Sequence, residues 1–252
     1  MVYSQAAAQF AQDGYCVVSD LVDAPAVEAL RARLTQIAEG AVPFPEALIE
    51  YELGAERSRS LPILRKVNHP SLHDGLFLKH ARSPNILDVV EQLIGPDIKL
   101  FDDQVFMKPP GGMEKTFHQD SAYFHIDPPE LVTAWLALDD VTLDNGCLWV
   151  IAGSHRHGIL DHSQAWAVGD RVDMQVPDSL IDHDRELAIT MSAGSCSFHH
   201  SVLLHRSGPN NTANPRRGLA THYMSARSRW TGPREAKPDY KLLRGRQHAG
   251  AV

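Results

Sequence analysis

The sequence predicts a β core of sandwich or barrel type with α-helices packed against it, in one domain spanning residues 1–252. Three observations predict it. The first ~100 residues read as mostly helical by their apolar spacing. From about Lys99 onward, short β-type runs alternate with turn residues. No internal repeat or linker-like composition shift interrupts a chain whose 252 residues suit one large domain at roughly 100 to 200 residues per domain.

Taken in order, Val27, Leu30, Leu34 and Ile37 recur at steps of three and four, between Asp23 at an N-cap position and Gly40 at a stop. A second helix is expected from about Ser83 to Gly95. It opens on Ser-Pro and carries Ile86, Leu87, Val90, Leu93 and Ile94. The strand-like runs are KLFDDQVFMK, TAWLALDDV, CLWVIAG, LAITM, CSFHH and GLATHYM. Asp144-Asn145-Gly146 between two of them predicts a type I′ reversal, because both central residues of that turn need positive φ.

Composition excludes whole classes. With 43% hydrophobic and 22% charged residues the chain is an ordinary globular protein, not a fibrous or disordered one. A net charge of −7 argues against nucleic acid or an anionic membrane as partner. No stretch approaches the ~18 apolar residues of a membrane span, and no N-terminal targeting segment is evident. Cys16, Cys147 and Cys196 are few, odd in number and without C-x-x-C spacing, so a disulfide framework or thiolate zinc site is not expected, and a cytoplasmic location fits.

Phe117-His118-Gln119-Asp120 is the central chemical signal. On an extended strand residues i and i+2 face the same way, so an imidazole nitrogen and a carboxylate oxygen can meet at one point. His205, 87 residues later at the end of another strand-like run, supplies a third ligand. Two imidazoles and one carboxylate suit non-haem Fe(II) and leave positions open, although zinc takes the same donors. Arg216, 11 residues beyond His205, can clamp a dicarboxylate by a charge-assisted pair.

HQD, then Ala134-Trp135, DNGCLWVIAGSH (Asp144 to His155), H-x-S-G-x-N (His205 to Asn210) and Arg216 together resemble the phytanoyl-CoA dioxygenase family of Fe(II)/2-oxoglutarate oxygenases, over nearly the whole chain. The resemblance implies a double-stranded β-helix, or jelly roll, its core beginning at about residue 99 and its first third helical. It implies iron held by His118, Asp120 and His205, with 2-oxoglutarate and O2 as co-substrates. Arg216 and Ser207 would hold the distal carboxylate of 2-oxoglutarate, Lys66 would reach that molecule, and Trp135 would line its pocket; Gln104 is a further candidate. Phe106, Tyr123 and Phe124, at the barrel mouth, are candidates for the substrate wall, with the glycines of PPGGMEKT free to move over a ligand.

The expected reaction is hydroxylation of an aliphatic C–H bond in a small molecule, with release of succinate and CO2. Desaturation, ring closure and epimerisation are open, while halogenation is disfavoured because Asp120 is present. The rivals are a redox-silent metal-dependent cupin isomerase and a non-catalytic ligand-binding module. Other conspicuous residues have plainer readings: His155 and His157 as loop residues, His199 and His200 as support for the metal histidine, and Asp139 and Asp140 as a solvated turn. The Arg227 to Arg246 segment, with seven basic and two acidic side chains, reads as solvated.

Overall fold

The computed structural model describes residues 3–52, 64–168 and 171–252. One antiparallel sheet has eight strands. Its path runs through β1 (Tyr15–Val18), β12 (Cys196–His200), β7 (Val132–Ala137), β14 (Arg216–Ser225), β4 (Ile98–Lys108), β3 (Leu64–Asn68) and β2 (Ile49–Tyr51), with β16 (Leu242–Arg244) pairing on β4. A second sheet orders β11 (Glu186–Ile189), β8 (Leu148–Ile151), β13 (His205–Ser207) and β5 (Lys115–His118). A hairpin of β9 (Gln164–Val168) with β10 (Arg171–Gln175), and the short pair β6 (Ile126–Asp127) with β15 (Arg229–Trp230), complete the strands.

Alternation along the large sheet divides its two faces. Ala134 and Leu136 of β7, Phe198 of β12, Leu219 and Tyr223 of β14 and Val105 of β4 face outward. Helices α1 (Ser4–Asp13) and α5 (Pro84–Ile94) cover one end of that face through Phe10, Ile86, Leu87 and Val90. Helix α2 (Ala24–Ala38) covers the other through Val27, Leu30, Leu34 and Ile37, beside Phe77 of α4 (Gly75–Ala81), which follows the single turn α3 (Pro70–His73). The inward residues Trp135, Ala137 and Ala220 meet Leu148, Val150 and Ile189 of the small sheet, which is the jelly-roll core.

Both expected helices form. The Asp23 carboxylate accepts from the Ala26 amide at 2.8 Å and caps α2, whereas Ser83 precedes α5 without a side-chain cap, leaving Pro84 in the first turn as the start signal. The first third, however, is not only helical: β1, β2 and β3 belong to the large sheet, and Tyr15 pairs with His199. These strands are three to five residues long, too short to impose a period on the sequence. The Asn145-Gly146 turn also departs from expectation. Gly146 has φ 87° but Asn145 does not enter the left-handed region, and the segment passes from β7 in the large sheet to β8 in the small one. Asn145 instead closes the turn with its side chain, accepting from the Thr142 amide at 2.9 Å and donating to the Asp140 carbonyl at 2.7 Å.

Asp103 of β4 is buried under α3, where it accepts from the amide of Ser71 at 3.0 Å and from its hydroxyl. Burial foremost pushes its carboxyl up from 3.8 to about 7. A raised folded-state value means that folding favours the protonated acid. The resulting stability is full below the ordinary carboxylate range and is lost as pH rises through about 7. Chemical denaturation should therefore show the native protein weakening between about pH 5 and pH 8 by on the order of 3 kcal/mol more than Asp103→Asn does. Equal slopes would refute the assignment.

Candidate active site

Strand β5 ends at His118, Gln119 remains extended (φ −124°, ψ 131°), and Asp120 opens a short 3-10 turn. His118 and Asp120 therefore share a face, as the H-x-D spacing predicts. The Gln119 side chain points the other way, donating to the carbonyls of Gly158 at 2.9 Å and Val202 at 2.7 Å and accepting from the Leu160 amide at 2.7 Å. It pins two neighbouring loops to the strand end. His205 arrives by register: it pairs directly with His118 across β13 and β5, and the two rings lie 4.2 Å apart between centroids.

One ligand atom from each of His118, Asp120 and His205 lies within 4.8 Å of the others, and all three residues are buried. The tautomers suit a metal. The Nδ1 atoms of His118 and His205 sit 2.9 Å and 3.0 Å from the carbonyls of Thr116 and Leu203. A carbonyl only accepts, so these nitrogens carry the protons and Nε2 is left as the free donor. Burial foremost keeps both rings neutral, holding His205 down to about 4 and His118 well below its ordinary value. Burial opposes ionisation of Asp120, but His205, His199 and His222 outweigh it and hold the carboxyl well below the usual range. Two neutral imidazoles and an anionic carboxylate are the donor set Fe(II) requires, so the residues present fit the ion.

The outer oxygen of Asp120, Oδ2, accepts from the Thr133 hydroxyl at 2.8 Å, and Thr133 Oγ1 lies 2.8 Å from Nδ1 of His222. Thr133 has one proton and spends it on the carboxylate, so Nδ1 of His222 is the donor in the second bond. His199 Nε2 lies 3.6 Å from the same oxygen. This relay from β14 through β7 leaves Oδ1 facing His118 at 3.8 Å and His205 at 3.6 Å. Thr133 and His222 escaped sequence reasoning because they look like ordinary residues of buried strands. Thr133→Val, which keeps the shape and removes the hydroxyl, is expected to weaken Fe(II) affinity about tenfold in an anaerobic titration. Unchanged affinity would remove the relay from the account.

A cavity of about 380 Å³ opens over the three ligands. The other residues the sequence offered as co-substrate or substrate contacts all line it: Lys66, Gln104, Phe106, Tyr123, Phe124, Trp135, Ser207 and Arg216. Arg216 is 2% exposed and donates to the Gly146 carbonyl at 2.7 Å, its guanidinium 5.3 Å from the Trp135 ring. Among the described residues no carboxylate forms an ion pair with it, and burial brings its pKa down to about 10. A buried guanidinium without a counter-anion, facing a cavity, fits a bound carboxylate. Trp135 reaches that position because residue 218 is glycine; a Cβ there would lie 2.0 Å from the indole.

Lys66 Nζ lies 5.3 Å from the Phe106 ring centroid and 4.0 Å from Glu50. Gln104 turns its amide to Asp102 at 3.2 Å. Lys108, which the sequence did not single out, also lines the cavity and donates to the carbonyls of Ser207 and Gly208. Tyr123 packs edge-on against His118, with ring centroids 6.3 Å apart, and its hydroxyl lies 3.1 Å from Lys115 and from the Met174 amide. Phe124 packs on Phe101 and His222.

Some plainer readings change. Asp139 is no solvated acid, because it holds Arg217 through two bonds of 2.8 and 2.7 Å, which takes Arg217 away from the cavity. His199 faces the site while His200 packs on Phe10 and His155. The basic C-terminal stretch is partly spent on ion pairs, Arg244 with Asp88 and Glu91, and Arg227 with Asp97. The PPGG loop is tied down by Asn210, whose amide donates to Gly112 and whose carbonyl accepts from Gly111, each at 2.9 Å.

Comparison with known proteins agrees with this geometry. Residues 10–218 match the family model described as phytanoyl-CoA dioxygenase. The chain belongs to that family. It is 25% identical over 228 residues to a Stutzerimonas stutzeri protein named "Probable alpha-ketoglutarate-dependent hypophosphite dioxygenase", an alignment covering 89% of this chain and 79% of the relative. Among solved structures it resembles the apo non-heme monooxygenase ThoJ at TM-score 0.78 and 27% identity, over 98% of this chain and 86% of that one. The epimerase SnoN, solved with Fe3+, alpha-ketoglutarate and nogalamycin RO, shares the fold at TM-score 0.74 and 23% identity, over 96% of this chain and 99% of that one. The protein is accordingly an Fe(II)/2-oxoglutarate-dependent dioxygenase. Among the described residues no helix is long and apolar enough to cross a membrane.

Proposed function

We propose that the chain acts as a single oxygenase domain hydroxylating an aliphatic C–H bond of a small molecule, with His118, Asp120 and His205 holding iron and Arg216 holding the distal carboxylate of 2-oxoglutarate. The observation that carries this reading is a buried guanidinium, without a carboxylate partner among the described residues, lining the same cavity as the three-ligand cluster. When bound, Fe(II) with 2-oxoglutarate and O2 supplies an oxidant strong enough to break an unactivated C–H bond, the oxo acid leaving as succinate and CO2.

The protein's own residues bind, orient and seclude. Arg216, supported from one side by Trp135 and held by the Gly146 carbonyl, fixes the far end of the dicarboxylate, and Ser207 and Lys66 line the same cavity. His118 and His205 stay neutral and keep Nε2 available, while Thr133 and His222 fix which oxygen of Asp120 faces them. Phe106 and Phe124 offer apolar surface to a hydrocarbon, and the Tyr123 ring stands edge-on to His118 at the rim. A redox-silent cupin isomerase needs no dicarboxylate clamp, so the buried Arg216 facing the cavity weighs against it, as the intact ligand set weighs against a binding module.

The test is mass-spectrometric detection of succinate after incubating the protein with Fe(II), 2-oxoglutarate and O2. Oxygen-dependent succinate, coupled to a product 16 mass units heavier than its substrate, is the expected result of adding about one oxygen atom. Failure to form succinate with any substrate while iron and 2-oxoglutarate are both bound would overturn the reading. A coupled product of unchanged mass would point to epimerisation instead.

A further inference from the structure

We propose that Glu52 is the recognition point for a basic nitrogen, so that the primary substrate carries an ammonium or guanidinium group on an aliphatic body. The proposal rests on reading the cavity as the oxygenase active site. Its starting point is Glu52, just beyond β2: it lines that cavity, and its Oε1 is buried with no hydrogen-bond partner among the described residues. A buried carboxylate oxygen without a donor is costly, and a ligand that brings an N–H donor removes the cost.

Among the described residues, several neighbouring charges along the cavity have partners or roles of their own. Glu50 accepts from Arg65 and, at 2.9 Å, from the Asn68 amide. Asp173 pairs with Lys115 at 2.9 Å, Arg206 pairs with Glu186, and Asp120 belongs to the metal cluster. Lys108 donates to backbone carbonyls, and Arg216 stands with Trp135 where the dicarboxylate is expected. Among the described residues, Glu52 is thus the carboxylate lining the cavity that has a buried oxygen without a hydrogen-bond partner. Phe106, Met113 and Phe124 line the same space and suit a hydrocarbon body.

The experiment measures binding of n-hexylammonium, hexan-1-ol and hexanoate by calorimetry, using the full chain loaded with Fe(II) and 2-oxoglutarate without oxygen. Hexylammonium should bind about tenfold more tightly than either competitor, the value of one charge-assisted contact. Glu52→Gln should abolish that preference, and Glu52→Lys should reverse it in favour of hexanoate. A preference that survives Glu52→Gln, equal binding of the three probes, or no binding of hexylammonium at millimolar concentration would overturn the proposal. The 2-oxoglutarate affinity, measured first on each protein, separates the two levels. Its loss in the native chain would sink the oxygenase reading, whereas intact 2-oxoglutarate binding without an ammonium preference would sink this inference alone.

Discussion

Asp120→Ala is expected to lower Fe(II) affinity by at least about a hundredfold and to end turnover with it. Substitutions one layer further out already cost about 10- to 100-fold in metal proteins. Asp120 is the one anion in the three-ligand cluster, and its loss would leave a cation facing only neutral imidazoles in a buried site. Thr133 and His222 would at the same time lose the acceptor that organises them. Anaerobic titration of the purified variant is the measurement. A variant that keeps native iron affinity would discard the assignment of the triad.

Arg216→Ala is expected to separate the two binding events. Iron affinity should stay within about twofold, since Arg216 touches none of the ligands, while the 2-oxoglutarate concentration for half-saturation should rise about 30-fold or more. Removing one partner of a buried charge pair costs 2 kcal/mol or more, and 2 kcal/mol corresponds to that factor. Among the described residues the neighbouring arginines are engaged elsewhere: Arg217 with Asp139, Arg206 with Glu186 and Arg65 with Glu50. An unchanged requirement for 2-oxoglutarate would show that the clamp lies elsewhere.

What was legible in the sequence follows from how local each signal is. Helices α2 and α5 announce themselves because eleven or more residues can display a period, and His118 with Asp120 because two ligands two residues apart need only an extended backbone. His205 could be joined to them by motif, yet what brings it there is the antiparallel register between β5 and β13. Thr133 and His222 belong to the site through a register of the same kind, paired across β7 and β14, and nothing in their own neighbourhood marks them. Glu52 was invisible for the opposite reason: a glutamate after a three-residue strand reads as surface until the cavity is seen to enclose it. The Asn145-Gly146 turn misled because turn residues specify a local bend, whereas the destination of the following strand is decided by which sheet can bury Leu148 and Val150.

The direct pairing of His118 with His205 has a consequence for the chain as a whole. An ion shared by these residues would staple together two points 87 residues apart in sequence, fastening the edge strand β5 to its neighbour β13 in a sheet of only four strands. The ends of that long excursion are also joined by the three-residue strand β13 and by the bonds of Gln119 to Val202 and Ser121 to Ser201. Iron would then act as a clasp on the folded state as well as a reagent, and its binding energy would be drawn on to keep the small sheet closed.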